Sequence, residues 1–488
     1  MRSSLPLRAL PLRALPLLAL PLLALTSLAL TALPATNAAA GSIGDQRTVT
    51  QPTLPGTCTT LSATLVAPSS RTFTSSQESA PPDTSRIQSA LNSCAGTGKA
   101  VVLAASGSDN AFLSAPLTIG SDVYLVVDTG VTLFASRVAS EYQASSGATC
   151  GTISSSTSSG CNAFITVTGS SSGIEGTQSS SGSQGSIDGR GDLDVYGTSS
   201  SWWANAQTAK NDGKSQVNPR LIQAGGANNF TVYDIDLVDS AKEHLYYKSG
   251  SGFTVWGLRI KTVDTALNTD GIDIDSSTDA TVEDSYIMDG DDCVAMQTNA
   301  SADEYLTVTG NHCYGTHGIS IGSETTYGVS SVYVDQNWIQ GTDSNGTESG
   351  SANGIRIKSY SKVGGTVSNV EYADTCMEQL KYPIEINPYY SSSTGSNYPY
   401  FKSVTIYEAK ETSSVSSAKS AVEGYSSTYP LGLTLEDVSL DSNSYTAEYA
   451  NVSYYNSTIV PSGTGVTSTS ISGSGSVPSC SFAGYPSL

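Results

Sequence analysis

From about residue 225 onward, short apolar strands return along the chain with a recurring Thr-Val pair. They begin at Thr231-Val232, Thr254-Val255, Thr281-Val282 and Thr307-Val308, then Ser331-Val332, so the valines are separated by 23, 27, 26 and 24 residues. Looser returns follow at Thr366-Val367, Ser403-Val404 and Thr434-Leu435. Each run is β-branched, ends in Gly, Asn, Asp or Ser, and leaves no room for a helix of useful length before the next. Hairpins would recur faster than this, which counts against an antiparallel sandwich. Strands at a period in the twenties without crossover helices predict an all-β, single-domain right-handed parallel β-helix, its coils stacked about 4.8 Å apart. The open end of such a solenoid needs a cover. Asp83-Thr84-Ser85 followed by Arg86 to Leu91, with Ile87, Ala90 and Leu91 on one face, predicts a short N-terminal capping helix just before the strand at Ala100-Val101-Val102-Leu103. The catalytic domain is expected over residues 81–488, preceded by a polar, Pro-containing and loosely attached leader at 41–80. The Ser/Gly-rich end from about Ser462 would dangle without Cys480.

The first 40 residues do not belong to that pattern. Arg2, Arg8 and Arg13 lead into an uncharged stretch from Ala14 to Ala40 that closes on Ala38-Ala39-Ala40, an A-x-A cleavage site. This predicts a signal peptide over 1–40 and a secreted, extracellular protein. Pro16, Pro21 and Pro34 argue against a membrane anchor. The eight cysteines, Cys58, Cys94, Cys150, Cys161, Cys293, Cys313, Cys376 and Cys480, all follow it. Their even number suits disulfides in an oxidising compartment, and pairing in sequence order is the simplest of many connectivities. With no CxxC and only three histidines, a Cys/His zinc site is not expected. Charged residues make up 14% of the chain, which excludes coiled coils and most helical bundles. The net charge of −20 excludes nucleic acid or an anionic membrane as the general partner. It leaves open a polyanion held at one local basic cluster.

Three segments are more polar than a structural coil requires: Asn268-Thr269-Asp270-Gly271-Ile272-Asp273, Gly290-Asp291-Asp292-Cys293, and Gly315-Thr316-His317-Gly318-Ile319-Ser320. Asp291 and His317 each lie nine residues beyond their coil's valine, and Asp270 lies 21 residues before Asp291. Equal phase on a stacked solenoid gathers three acids and a histidine on one side. Crowded carboxylates cannot all ionise easily, so one stays protonated while the others polarise a water, the division of labour that glycosidic hydrolysis requires. Taken singly, each Asp is equally a turn residue. In Gly354-Ile355-Arg356-Ile357-Lys358, strand alternation puts both cations on one face, a seat for a carboxylate. Acids for cleavage beside cations for a carboxylate predict a uronic acid polymer.

The order NTDGID, GDDC, HGISIGS and RIK resembles the polygalacturonases of glycoside hydrolase family 28, with further similarity across residues 83 to 440. That resemblance implies hydrolysis of α-1,4-linked galacturonate with inversion, without metal or other cofactor. Asp291 would be the general acid, Asp270 and Asp292 would activate water, and His317 would support the acid. Asn268, Arg356, Lys358 and Tyr390 would bind substrate, Tyr390 being favoured over Tyr389 by the I-x-I-x-x-x-Y context. It also implies a disulfide Cys293–Cys313 beside the site. Thr316 stands where members commonly carry Gly, and its Cβ has the means to shift His317. His244 and His312 have no role by this resemblance and are read as surface or packing residues. The expected partner is pectin or polygalacturonate, with no nucleic acid, no membrane and a monomeric enzyme. Endo cleavage is expected because the main extra length near the site, Gly341 to Asn353, looks flexible; the Ser-rich stretch between Ser145 and Ser183 is the rival blocking loop. The alternatives are an exo-acting or rhamnogalacturonan/xylogalacturonan hydrolase, a calcium-dependent pectate lyase, and a catalytically inert adhesin.

Overall fold

Each coil of the body consists of three short strands, and every strand pairs in parallel with its counterpart one coil away. Ser251–Trp256, Arg259–Lys261 and Ile272–Asp275 form one coil, and Thr278–Glu283, Tyr286–Met288 and Val294–Gln297 the next. Phe253, Val255, Leu258, Ile260, Ile272 and Ile274 all point inward and are fully buried, so the core is a column of aliphatic layers. One face is an eleven-stranded parallel sheet running from Leu117–Ile119 to Tyr445–Glu448. The other two faces join into a 22-stranded sheet, since late strands such as Thr366–Glu378 and Tyr400–Thr412 continue across the corner. The architecture is a parallel β-helix. The computed structural model describes residues 43–488, so the signal peptide read over 1–40 lies outside the described residues.

The Thr-Val repeat is a real column, with one slip of register. Val232, Val255, Val282 and Val308 stack in turn, but the next member is Val334, not Val332, which pairs with Leu306. Likewise the column continues through Tyr372, Ile406 and Leu435. A two-residue slip keeps the same face buried, so the hydrophobic pattern alone could not reveal it.

Polar turns are stacked too. Asn311 Oδ1 accepts from the Ser285 amide (3.0 Å), and Asn337 Oδ1 accepts from the Asn311 amide (2.9 Å). Asn311 Nδ2 also donates to the Val282 and Thr309 carbonyls. On the outer surface Tyr286, His312 and Trp338 stack with ring centroids 4.6 and 4.5 Å apart. Burial pushes the His312 imidazole down to about 4. His312 is therefore a neutral packing residue. The C-terminal tail covers this side: the Cys376–Cys480 disulfide anchors it, Tyr485 donates its hydroxyl to the Ile260 carbonyl (2.7 Å) and Tyr314 to that of Ala483 (3.1 Å).

The segment expected as a loose leader is instead fastened to the body. Gly44 N–H donates to the Ser331 carbonyl, Asp45 N–H to the Thr307 hydroxyl, and Thr281 Oγ1 to the Asp45 carboxylate. Arg47 reaches the Phe253 carbonyl and the Thr254 hydroxyl. The threonines of the repeat thus give the leader a line of hydrogen bonds across successive coils. Thr57–Ser62 then pairs in parallel with Lys99–Ala104, and Arg71 forms ion pairs with Asp188, Asp192 and Asp239. Helix α1 (Ser75–Ser79) is a single turn. Helix α2 (Thr84–Cys94) is the capping helix: Ile87, Leu91 and Cys94 are buried, and Asp83 at its N-terminus accepts from the Leu113 amide (2.7 Å). The disulfide Cys58–Cys94 ties it to the first strand. A third helix, α3 (Trp202–Asn211), was not anticipated. Its signal was present: Ser201 caps the Ala204 amide, and Trp202, Ala206 and Ala209 make one buried stripe.

Asn311→Ala would leave the Ser285 amide without its acceptor and the Val282 and Thr309 carbonyls without a donor, all inside the turn stack. The variant is expected to lose about 3 kcal/mol of unfolding free energy. Urea unfolding would show this as a lower midpoint, with activity retained below the transition.

Candidate active site

Strand alternation in the eleven-stranded sheet decides what faces outward. Ile272 and Ile274 point into the core, so Asp273 points out; Ile355 and Ile357 point in, so Arg356 and Lys358 point out. Register then stacks Asp273, Ala295, Ser320, Arg356 and Glu385 in one outward column. The turns entering three consecutive strands carry Asp270, the pair Asp291-Asp292, and His317. The backbone links them directly: Gly271 N–H donates to the Asp292 carbonyl (2.9 Å) and His317 N–H to that of Asp291 (2.6 Å).

Asp292 is almost completely buried and has three polar partners. Lys358 Nζ lies 2.6 Å from Oδ2, while Arg356 Nη1 (3.1 Å) and the Ser320 hydroxyl (2.7 Å) share Oδ1. Arg356 also pairs with Glu385 at 2.9 Å. The cations expected as a bare carboxylate seat are thus already balancing an internal acid. Burial opposes the charge on both, and Asp292 more than restores it, so each holds its proton more tightly than usual.

Asp291 faces different company. His317 Nδ1 is 2.8 Å from its Oδ1, Asn268 Nδ2 is 3.3 Å from its Oδ2, and its amide donates to Asp289 Oδ1 at 2.8 Å. Burial alone would raise the Asp291 carboxyl; His317, then Lys358 and Arg356, outweigh it and hold it below the usual range. Asp270 has no cation of its own. Burial first, then Asp291 and Asp273, push it well above the usual range. Asp289 is fully buried under the site and is pushed well above the usual range, mainly by that burial.

Thr316 does not disturb His317. It is fully buried outside the left-handed region, so its Cβ costs the backbone nothing, and its hydroxyl accepts from the Gly318 amide at 3.2 Å. The Cys293–Cys313 disulfide braces the turns on either side, and Cys150–Cys161 completes the four bridges.

Further residues support the site without belonging to any motif above. His244 is fully buried, with Nδ1 at 3.1 and 3.2 Å from the Thr269 and Asp270 carbonyls and Nε2 at 2.8 Å from the Thr262 hydroxyl. Carbonyls only accept, so Nδ1 carries the proton and Nε2 accepts from Thr262. Burial lowers this imidazole to about 4, so it stays neutral and holds the Asp270 turn in place. Its packing role is real, and its packing partner is the turn that carries Asp270. A chain of amides runs from Asn218 to Gln216 Oε1 (2.6 Å), from Gln216 to Asn268 Oδ1 (2.9 Å), and from Asn268 to Asp291. Gln216 and Asn218 come from a side excursion of the solenoid, and nothing in their local sequence marked them.

Tyr390 is 45% exposed, and its ring lies 5.4 Å from the Arg356 guanidinium and 5.2 Å from Lys358 Nζ. Tyr389 turns away, donating its hydroxyl to the Tyr425 carbonyl at 2.5 Å. The Gly341 to Asn353 insert, expected to be flexible, forms a closed turn in which the buried Asp343 accepts from the Asn345 and Thr347 amides. One atom each of Asp291, Asp292 and His317 lie within 4.8 Å of one another, a set able to approach a cation. Their polar atoms already bond Lys358, Arg356, Ser320 and each other, so a metal ion would have to displace the protein's own positive charges. A cavity of about 480 Å³ opens beside Asp291, His317 and Asn268.

The sequence matches the glycosyl hydrolases family 28 over residues 124–461. It is 38% identical to an endo-polygalacturonase of Pectobacterium carotovorum subsp. carotovorum, over 83% of this chain and 92% of that protein. It is 34% identical to a polygalacturonase of Ralstonia nicotianae, over 90% and 92% of the two chains. Among solved structures, the polygalacturonase from Erwinia carotovora ssp. carotovora superposes with a TM-score of 0.72 at 36% identity, covering 84% of this chain and 99% of that one. The solenoid, its acid cluster and these likenesses agree: the chain belongs to glycosyl hydrolase family 28.

Proposed function

We propose that this protein is a secreted, monomeric endo-polygalacturonase that hydrolyses α-1,4-galacturonosidic bonds of pectin with inversion. The observation that carries this reading is the clustering of Asp270, Asp291 and Asp292 beside Arg356 and Lys358 in a chain whose net charge is −20. Both cations pair with Asp292 inside the site, and the ring of Tyr390 beside them leaves this basic rim open to the carboxylate of a uronate. Four disulfides fit export. No helix among the described residues is long and apolar enough to cross a membrane. Relatives named endo-polygalacturonase support internal cleavage.

Asp291 serves as the general acid through its pair with His317. Asp291⁻ with a protonated His317, and protonated Asp291 with a neutral His317, contain the same number of protons. The 2.8 Å hydrogen bond connects the two forms. That hydrogen bond lets the pair hold one proton for the leaving oxygen although the Asp291 carboxyl is held below its usual range. Asp292 has both oxygens engaged by Lys358, Arg356 and Ser320, which blunts it as a nucleophile toward carbon. It suits orientation of a water, with Asp270, and an attacking water gives inversion. Arg356 keeps N–H groups beyond its bond to Asp292, and with Lys358 and Tyr390 these are the contacts offered to a galacturonate carboxylate and ring.

Asp291→Asn preserves shape but removes the transferable proton, and kcat is expected to fall at least about 10³-fold with an unchanged circular dichroism spectrum. Near-normal turnover by the purified variant would end the assignment.

The pH profile follows from the same groups. Asp270 must be ionised to hold water, and its raised position makes activity fall as pH drops through the mildly acidic range. His317→Gln removes the 2.8 Å contact that holds the Asp291 carboxyl, and kcat on polygalacturonate is expected to fall about tenfold or more with KM little changed. An unchanged kcat in steady-state kinetics would show that His317 does not support the acid.

Endo action is checked by following viscosity and reducing ends together on polygalacturonate, with a chelator present. A steep viscosity loss at few bonds cut, insensitive to chelator, is expected. Mono- or digalacturonate released while viscosity persists would indicate exo action, and an unsaturated, calcium-dependent product a lyase.

A further inference from the structure

The cavity beside Asp291 and His317 has a second wall that the reaction above does not use. That wall carries Lys210 at the end of α3, Lys214 just after it, and Lys242. Three ammonium groups around one cavity of about 480 Å³ is an unusual concentration in a chain with 23 basic and 43 acidic residues. The charge is not internally cancelled. The wall's acid, Glu243, is held by both Arg220 (3.0 Å) and Lys242 (2.9 Å). Lys214 has only an exposed contact with Asp212 at 3.1 Å, which is worth little in water. The Lys210 ammonium has no partner among the described residues.

The wall is also rigidly built. Trp202 is buried against Tyr142, with ring centroids 6.0 Å apart, and Asn205 donates to the Gly151 carbonyl at 3.2 Å. Ser215–Gln216 pairs with Ile153–Ser154, in the loop closed by Cys150–Cys161. The lysines are therefore presented by a fixed scaffold rather than by a loop that must be ordered on binding.

Coil order gives the wall its position along the cleft. Strand Leu245–Lys248, which follows Lys242, is stacked two coils before Val294–Gln297, which follows Asp291. Strand Asn353–Lys358 is stacked two coils after it. Lys242 is thus on the N-terminal side of the acid, while Arg356 and Lys358, on a strand stacked after it, reach back to Asp292. A polymer with one carboxylate per sugar, lying along the axis with its cleaved bond at Asp291, meets positive charge on both sides.

We propose that Lys210, Lys214 and Lys242 form a second carboxylate-binding site, on the N-terminal side of the cleaved bond, that selects unesterified uronate there. This rests on the polygalacturonase reading and extends it to substrate choice: a methyl ester at that sugar removes the charge the lysines recognise. The test uses Lys210→Ala/Lys214→Ala, leaving Lys242 to balance Glu243. On fully de-esterified polygalacturonate the double variant is expected to show KM raised about tenfold (~1.4 kcal/mol), with the loss in KM rather than kcat. Its preference for polygalacturonate over highly methyl-esterified pectin should shrink by a similar factor. KM and preference both within twofold of wild type would overturn the proposal. Calorimetric binding of galacturonate oligomers is compared in parallel, with Asp291→Asn alone and Asp291→Asn carrying both lysine changes. Weaker binding by the triple variant supports the lysine site, and equal binding overturns it. If the wild-type enzyme failed to cleave polygalacturonate, the functional reading would fall, while this binding comparison would still decide the lysines.

Discussion

Parallel, in-register stacking of coils is the constraint on which everything else in this molecule depends. Because Ile272, Val294, Ile319 and Ile355 must lie over one another in the core, the residues next to them have no freedom about where they emerge. Asp273, Ala295, Ser320 and Arg356 are carried into one outward column by the same register. The site is assembled from residues 268 to 390, yet each group needs only its own coil to be in place. Buried polar ladders such as Ser285–Asn311–Asn337 serve that end, since a turn that must satisfy its neighbour's amide cannot slide.

The second constraint is charge balance. Asp270, Asp289, Asp291 and Asp292 crowd into two consecutive turns, and the structure gives each a different electrostatic solution. Asp292 is balanced by Lys358 and Arg356, Asp291 leans on His317, Asp289 is pushed well above the usual range by burial, and Asp270 remains uncompensated. Carboxylates of one chemical type are thereby given different electrostatic surroundings, the arrangement by which a single residue type would supply both acid and base in the proposed reaction. The cations are as necessary to this as the acids. Without them Asp292 would be a buried, unpaired charge.

The floor of the site was legible in the sequence because it obeys periodicity. Equal spacing from the coil valines brought Asp291 toward His317, and alternation put Arg356 beside Lys358. What periodicity could not supply was contact. That both cations turn to Asp292, that His244 grips the Asp270 turn, and that Thr316 is accommodated without strain are facts of side-chain geometry across coils. The Val332 register slip escaped for a related reason, since strands displaced by two residues bury the same face. The leader was misjudged because its affinity for the body lies in threonine hydroxyls, which in sequence look like ordinary β-formers. Helix α3 carries a readable cap and stripe, but it lies before the strand repeat that begins near residue 225, so the period does not reach it.

These differences divide the molecule into two parts with different freedom. A residue added within a strand of the floor would change the phase of its coil and carry its catalytic group off the shared face, so floor segments such as Ile272–Asp275 and Val294–Gln297 must keep their length. Excursions between strands are under no such restriction. The segment holding α3 and the closed turn between Gly341 and Asn353 both lengthen the chain without altering the stack. Gln216 and Asn218 show that an excursion can still reach inward, steadying Asn268 and through it Asp291. Lys210 and Lys214 lie on the same excursion, facing the space where a polymer would lie. On the proposed reading, the chemistry is tied to the fixed geometry of the solenoid, whereas recognition of what surrounds the cleaved bond is placed on walls whose length and charge can change without disturbing it.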